Sequence, residues 1–206
     1  RRFNVEIVEG YGLTEAAPVL SVNQPENNRP GTVGQLLPGC EARLVPVEGI
    51  DDGGQLHIRG PNIMKGYIRP SAPLQLEAPE GGWHDTGDIV SIDEDGFIRI
   101  RGRVKRFAKL GGEMVSLAVV ENCATSLWPD GMHAAAAIPD KRKGEQVILL
   151  TDDAKADRAD LVAFARNHGI SELAIPRKII HVESIPVLGT GKTDYGTVQK
   201  TVEALM

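Results

Sequence analysis

Alternating apolar and polar positions dominate the first half of the chain. Residues 41–47 (EARLVPV) and 54–60 (GQLHIRG) both have the period-two pattern of a half-buried strand, and the intervening DDGG favours a turn. Residues 88–103 (DIVSIDEDGFIRIRGR) predict a hairpin, because Asp95 and Gly96 supply a turn between two isoleucine-bearing arms. This half is therefore predicted to be largely β.

After Arg103 the apolar spacing changes to a helical period. Residues 117–128 place four apolar side chains on one face of a helix that Ser116 is expected to cap. Residues 157–168 predict a second helix, which Gly169 ends. The second half is therefore predicted to be a compact α+β unit. Its predicted strands are residues 133–139 (HAAAAIP), 146–151 (QVILLT) and 178–182 (KIIHV).

Composition narrows the class of protein. The 206 residues are 41% hydrophobic and 25% charged, as in soluble globular proteins, and the net charge of −5 argues against a nucleic-acid binder. Cys40 and Cys123 have no metal or redox spacing, which predicts a reducing compartment. The sequence has no apolar run of membrane-spanning length, about 18–20 residues, and no signal peptide. The opening RRFNVEIVEGYG predicts a fragment of a larger protein.

A glycine-flanked lysine lies in IPVLGTGKTDYG, residues 185–196. The Gly-Lys-Thr order is similar to the end of a phosphate-binding P-loop, which also needs a glycine five residues before Gly191. That position is Pro186, which has no N–H to direct at phosphate. The pattern therefore argues against a P-loop and leaves two readings for Lys192: a plain surface turn, or a role defined by the rest of the chain.

Three further stretches carry candidate chemistry. YGLTE, residues 11–15, combines a turn, a hydroxyl and a carboxylate, and WHDTGD, residues 83–88, places Asp88 at the mouth of a predicted strand. GRVKRFAKLGGEMVS, residues 102–116, places several cations around a glycine pair. Taken singly, these stretches fit a solvated turn, a strand edge and a solvated basic face. Their order and spacing together favour one functional assembly.

In this order the motifs resemble those of the adenylate-forming (acyl-activating) superfamily, which includes acyl-CoA synthetases, luciferases and the adenylation domains of peptide synthetases. That family shows Tyr-Gly-x-Thr-Glu, an aromatic residue ahead of Thr-Gly-Asp, Gly-Arg-x-(Asp/Lys), and a Gly-Lys near the C-terminus. The strings APVLSVNQPENNRPGTVGQLLPG, GPNIMKGY and RFAKLGGEMVSL are most similar to the bacterial acyl-acyl-carrier-protein synthetase/2-acylglycerophosphoethanolamine acyltransferase family. The resemblance implies an α+β fold: the β-rich end of the large AMP-binding domain over 1–103, then a small C-terminal lid domain over 104–206.

The resemblance also implies a two-step reaction. A fatty-acid carboxylate attacks the α-phosphate of ATP to give acyl-AMP and pyrophosphate, and the thiol of a phosphopantetheine arm then takes the acyl group. Lys192 would be the catalytic cation between carboxylate and phosphate, and Glu15 would hold Mg²⁺, which prefers carboxylate oxygen. The AMP- and ATP-binding residues implied are Tyr11 and Gly12 at the adenine, Thr14 at phosphate, and Asp88 and Arg103 at the ribose.

In the family the small domain turns between the two half-reactions. The resemblance therefore implies a hinge and a second functional surface in this chain. Two cations are predicted to form a patch for an acidic carrier protein, although a solvated face is an equal alternative. The residues are Lys105 as the hinge, Gly111, Gly112 and Glu113 as the loop lining the pantetheine tunnel, and Arg106 and Lys109 as the patch.

Several alternatives stay open at this stage. The acceptor is predicted to be acyl carrier protein, and a fatty acyl-CoA synthetase that uses CoA shares every motif. A non-catalytic module that only docks a carrier protein would not need Lys192, Asp88 or Glu15. In the full-length parent a fatty acid and a lysophospholipid would be the other partners, on the cytoplasmic side, with association to the inner membrane left open. The family's Glu-(Ile/Val)-Glu stretch is matched here only at Glu121.

Overall fold

The computed structural model describes residues 5–142 and 144–206. The chain divides into two compact units, the first ending at Lys105 and the second running from Arg106 to Met206. The division lies just beyond the sequence-based boundary at Arg103. The mixed α and β content agrees with the predicted α+β class. In the part of the chain that the structure describes, no helix is long and apolar enough to cross a membrane.

The first unit consists of antiparallel β-sheets. The strands are β1 Gly10–Gly12, β2 Val19–Val22, β3 Gln35–Leu36, β4 Glu41–Val45, β5 Gly54–Arg59, β6 Tyr67–Ile68, β7 Leu76–Glu77, β8 His84–Ile92 and β9 Ile98–Arg103. Three of them form a sheet in the order β1-β2-β3, four form a sheet in the order β4-β5-β8-β9, and β6 pairs with β7. Short 3₁₀ turns lie at Thr14–Ala16 and Glu80–Gly82, and a third, Val104–Arg106, includes the last residue of this unit.

The predicted hairpin over residues 88–103 is confirmed as β8 and β9. Its turn is held by Asp93, whose carboxylate accepts the backbone N–H groups of Asp95 at 3.1 Å and Phe97 at 2.9 Å. Gly96 has φ of +82°, a left-handed conformation that favours glycine. The first strand begins at His84, earlier than predicted, so that Asp88 lies inside the strand and not at its mouth.

The second unit is a five-stranded sheet with helices on both faces. The elements are β10 Phe107–Leu110, β11 Glu113–Ser116, α1 Leu117–Leu127, β12 His133–Asp140, β13 Gly144–Thr151, α2 Arg158–Asn167, β14 Lys178–His181 and α3 Tyr195–Leu205. The strand order is β11-β10-β13-β12, and β14 pairs with β13 in parallel. A 3₁₀ turn lies at Glu172–Ala174.

Alternation along β12 and β13 gives this sheet a separate core on each face. Ala135 and Leu149 face α1 and α2, whereas Ala134, Ala136 and Leu150 face α3. All five are almost completely buried. The small alanine side chains allow helices to pack closely on both sides of the strand, and so fix the position of α3 on the sheet.

The helix ends agree only in part with the sequence expectations. Ser116 occupies the predicted N-cap position of α1, but its side chain makes no capping hydrogen bond. Asp157 caps α2 by accepting the N–H of Ala159 at 2.7 Å. Helix α3 was not predicted, and it is capped by Asp194, which accepts the N–H of Thr197 at 3.1 Å.

Candidate active site

The Asp88 carboxylate is the centre of a three-residue cluster in the first unit. Its Oδ2 accepts a short hydrogen bond from the phenol of Tyr11, and its Oδ1 lies 3.0 Å from Nε of Arg103. Asp88 is only 4% exposed, whereas the Arg103 side chain is 70% exposed. The two residues that the resemblance places at the ribose are therefore in direct contact, and the Arg103 side chain is largely exposed beside a buried carboxylate.

Local structure explains the position of Asp88. Asp88 and Arg103 are directly opposite each other in the β8–β9 register. Thr86 donates to the carbonyl of Leu56 at 2.8 Å and accepts the Asp88 N–H at 3.1 Å, which secures the start of the strand. Gly87, between them, has φ of +69°. The Thr-Gly-Asp order therefore supplies in succession a hydroxyl that hydrogen-bonds two backbone groups, a glycine in the left-handed conformation and the carboxylate.

Tyr11 is buried in the core of the first unit. Burial raises the pKa of its phenol, and the hydrogen bond to Asp88 raises it further. The phenol therefore stays protonated at neutral pH and donates to the carboxylate. This contact joins strands 77 residues apart in the chain, which no local sequence pattern could predict.

The YGLTE segment forms a tight turn next to this cluster. A Cβ on Gly12 would lie 2.0 Å from the carbonyl oxygen of Pro18, so only glycine fits there. The Leu13 N–H donates to the same oxygen at 2.7 Å. The turn leaves the Thr14 side chain exposed. A groove of about 460 Å³ runs along the segment, and its lining includes Tyr11, Gly12, Leu13, Thr14, Pro18 and Val19.

Glu15 is held by a residue that sequence reasoning missed. The phenol of Tyr67 donates to Oε1 of Glu15 at 2.8 Å, and this hydrogen bond holds the pKa of the carboxyl below its usual range. The carboxylate is therefore ionised at neutral pH, and Glu15 is half-buried. Tyr67 ends the string GPNIMKGY, so the resemblance to that string was the available signal.

Glu15 fits a magnesium ion only as part of a ligand set. No group of three or more His, Cys, Asp or Glu that could hold a metal occurs in residues 5–142 and 144–206. Mg²⁺ in phosphoryl-transfer sites is commonly held by one or two carboxylates together with substrate phosphates and water. Glu15 supplies one ionised carboxylate next in the chain to Thr14, which lines the groove, and this suits that arrangement.

Lys192 lies in the second unit on a closed turn. The Leu188 N–H donates to the carbonyl of Lys192 at 2.8 Å, and the Gly191 N–H donates to the carbonyl of Leu188 at 2.8 Å. Gly191 has φ of +80°. The lysine is exposed, and α3 begins three residues later at Tyr195. The turn is thus an ordered feature of the second unit with a solvent-facing cation.

Gly111 and Gly112 form the two-residue turn of the β10–β11 hairpin. Their φ angles are +63° and +99°, both positive, as a type I′ turn requires. A Cβ on either would meet nothing within 4 Å, so the turn projects away from the rest of its unit. Glu113 follows it and is exposed.

The structure separates the two residues of the predicted basic patch. Lys109 is exposed on β10. The Arg106 side chain is only 16% exposed and donates to Glu121 at 2.5 Å and to the carbonyl of Ala135 at 2.7 Å. Lys105, the predicted hinge, is exposed in a 3₁₀ turn and is the last residue of the first unit. Of the patch, only Lys109 presents its side chain to solvent.

Comparison with known proteins agrees with the family that the sequence motifs resemble. The family model described as AMP-binding enzyme matches residues 1–68. A long-chain-fatty-acid–CoA ligase of Salmonella typhimurium is 34% identical over 195 residues, covering 90% of this chain and 34% of the relative. A mitochondrial medium-chain acyl-CoA ligase of Mus musculus is 32% identical over 210 residues, covering 96% and 34%.

Solved structures agree with this class. The crystal structure of ATP-bound MatB from Rhodopseudomonas palustris is 28% identical, with a TM-score of 0.78 over 97% of this chain and 41% of that chain. The AMP-binding enzyme family therefore matches the first third of the chain, and adenylate-forming ligases resemble nearly all of it. It spans 34–38% of the length of the first curated relatives it matches.

Proposed function

We propose that the chain is part of an ATP-dependent acid–thiol ligase that activates a fatty acid. The carboxylate attacks the α-phosphate of ATP, acyl-AMP forms and pyrophosphate leaves. A phosphopantetheine thiol then attacks the acyl carbonyl, a thioester forms and AMP leaves. The chain would contribute the β-rich end of the large domain and the small domain that carries Lys192.

One observation carries this proposal: the buried Asp88 carboxylate held between Tyr11 and Arg103. A carboxylate oxygen can accept more than one hydrogen bond, so Asp88 retains acceptor capacity for ribose hydroxyls. The exposed Arg103 guanidinium beside it suits the same sugar. The adjoining groove at Tyr11 and Gly12 would take the adenine, and Thr14 and Glu15 would face the phosphates and Mg²⁺.

Lys192 would supply the positive charge for the first step. Displacement at phosphorus spreads negative charge over oxygens, and a cation placed there stabilises the transition state more than the ground state. Its side chain is long and exposed, on a turn held by backbone hydrogen bonds. The Gly111–Gly112 turn of the same unit would serve the second step, along the pantetheine arm.

Two carriers of the acceptor thiol have separate support. CoA is favoured by the relatives, which are described as CoA ligases. Acyl carrier protein is favoured by the similarity of APVLSVNQPENNRPGTVGQLLPG, GPNIMKGY and RFAKLGGEMVSL to the sequences of acyl-acyl-carrier-protein synthetases, and by the exposed side chain of Lys109. The same similarity supports coupling to lysophospholipid reacylation on the cytoplasmic side of the inner membrane in the full-length protein.

The experiment is to separate the half-reactions in the full-length ligase that contains this chain. Lys192→Ala should lower fatty-acid-dependent ATP–pyrophosphate exchange by about 10²–10³-fold, the usual cost of losing one charge-stabilising group. Transfer of the acyl group from pre-made acyl-AMP to a thiol should change much less. Lys200→Ala, an exposed lysine on α3, is the matched control and should leave both rates unchanged. Equal losses in the two steps for Lys192→Ala would refute the assignment.

The acceptor is tested in the same preparation. The kcat/KM for CoA and for acyl carrier protein are compared at equal acyl-AMP saturation, and a higher value for the carrier protein would support the finer proposal. The isolated 206-residue chain should show no pyrophosphate exchange, because it spans only part of the length of its relatives.

A further inference from the structure

Arg106 is the first residue of the second unit, and three different elements hold its side chain. Its Nη1 donates to the backbone carbonyl of Ala135 in β12 at 2.7 Å, and its Nη2 donates to Oε1 of Glu121 in α1 at 2.5 Å. Its guanidinium carbon lies 3.7 Å from the ring centre of Tyr195, the first residue of α3. The Arg106 and Glu121 side chains are 16% and 12% exposed.

Glu121 completes a closed network around the arginine. Its Oε1 also accepts the backbone N–H of Ala135 at 2.7 Å, and its Oε2 lies 3.4 Å from the hydroxyl of Tyr195. Arg106, Glu121 and Tyr195, with the backbone of Ala135, form what we call the Arg106 cluster. A half-buried arginine that pairs with a carboxylate and stacks on an aromatic ring is held in one geometry, because guanidinium is planar and its donors are fixed.

The cluster meets α3 at the end nearest Lys192. The Asp194 N–H donates to the carbonyl of Pro186 at 2.8 Å, and Val187 bridges to Thr193 across the base of the turn. The lysine turn and the first turn of α3 are therefore one hydrogen-bonded piece. The ring of Tyr195 joins that piece to the residue at which the second unit begins.

We propose that the Arg106 cluster is the positioning device for Lys192: it fixes the lysine turn relative to the start of the second unit. This inference rests on the proposed role of Lys192 and adds Arg106, Glu121 and Tyr195 as positioning residues. A misplacement of about 1 Å in a reacting group costs on the order of 10²-fold in rate. A turn on an unanchored helix end would sample such displacements.

Tyr195→Leu in the full-length ligase tests the proposal. Val198 and Val202 hold α3 in the core, so the helix remains and only its first turn loses an anchor. Pyrophosphate exchange should fall by about 10- to 100-fold, through kcat and not KM for ATP. Thiol transfer from pre-made acyl-AMP should change little, because Arg106 keeps Glu121 and Ala135 and so still anchors the adjoining Gly111–Gly112 hairpin.

Two companion variants show whether the ring is the cause. Tyr195→Phe keeps the ring under the guanidinium and loses only the long 3.4 Å contact, so it should restore exchange to near the original rate. Arg166→Met removes another arginine ion pair of the same unit, with Glu172 at 3.3 Å, whose side chains are 69% and 72% exposed. It should leave both half-reactions unchanged.

Two outcomes would overturn the proposal. Equal losses in exchange and transfer for Tyr195→Leu would make the cluster a general structural support, and unchanged exchange would remove its link to Lys192. Lys192→Ala separates these failures from that of the proposed function. If Lys192→Ala lowers exchange and Tyr195→Leu does not, only the positioning inference fails; if neither does, the role of Lys192 itself fails.

Discussion

Removal of the Asp88 carboxylate should destabilise the first unit mainly through Tyr11. In Asp88→Ala the phenol of Tyr11, on a residue 9% exposed, loses its acceptor. A buried hydroxyl left without a partner costs about 1–3 kcal/mol. The ion pair with Arg103 adds only about 0–1 kcal/mol, because that side chain is largely in solvent. The free energy of unfolding should therefore fall by about 1–4 kcal/mol.

A double-mutant cycle isolates the contribution of the phenol. Tyr11→Phe removes the donor, so adding Asp88→Ala to it no longer leaves a hydroxyl unpaired. The coupling energy between the two changes should be about 1–3 kcal/mol. Asp52→Ala is the matched control, since Asp52 also pairs with an arginine, Arg101, but its side chain is 76% exposed. Its cost should be about 0–1 kcal/mol.

Fluorescence of Trp83 during urea and thermal unfolding provides the assay. The chain has two tryptophans, one in each unit, so Trp128→Phe leaves a signal from the first unit alone. Each 1 kcal/mol corresponds to a Tm change of about 4–8 °C for a unit of this size. Additive effects of Tyr11→Phe and Asp88→Ala, or a control as costly as Asp88→Ala, would refute the account of this cluster.

Three further predictions concern the second unit and its start. Lys105→Pro, which fixes φ near −65° and removes an N–H, should impair one half-reaction of the full-length ligase far more than the other; normal rates in both would place the hinge elsewhere. Lys109→Glu should raise the KM for acyl carrier protein more at low salt than at high, with acyl-AMP formation unchanged; an unchanged KM at low ionic strength would remove it from docking. Hydrogen bonds from Thr197 lower the pKa of the Asp194 carboxyl in the folded state. The ionised carboxylate therefore stabilises α3 fully above the unfolded-state pKa of about 3.9, and this stabilisation is lost as the pH falls through the lower folded-state pKa. Asp194→Asn should still cap α3 and should lose less stability than the original protein below about pH 4. Circular dichroism measured against pH would contradict this if the variant and the original protein lose helix in parallel.

Local patterns predicted the elements whose signals are complete within a short window. Residues 88–103 were identified as a hairpin because Asp-Gly and alternating isoleucines lie within one stretch. Helix α2 is predictable in the same way, from its apolar period and from Gly169 at its end. Helix α3 also has a local signal, since Asp194, Val198 and Val202 combine a cap with helical spacing, but the glycine-rich stretch directly before it favours a turn.

The candidate site depended on contacts that no window contains. Tyr11 and Asp88 meet across 77 residues, and Tyr67 reaches Glu15 across 52. Only the resemblance implied that Asp88 and Arg103 share one ribose and that Tyr11 lies at the adenine. The environment of Arg106 could not be predicted locally either. Its neighbours in the sequence favour a solvated basic face, whereas the fold brings Glu121 and Tyr195 into contact with it from distant positions.

The parallel strand β14 has a consequence for the order of folding. β12 and β13 are neighbours in the chain and can pair early as a hairpin, whereas β14 reaches β13 only after the crossover through α2 closes. The second core includes Ile148 and Leu150 together with Val198 and Val202 of α3, so we expect it to stay open until α3 docks. The turn that carries Lys192 lies between β14 and α3. We therefore expect φ-values near zero for Val198→Ala and higher values for Ile148→Val, so that this turn is among the last parts of the unit to form.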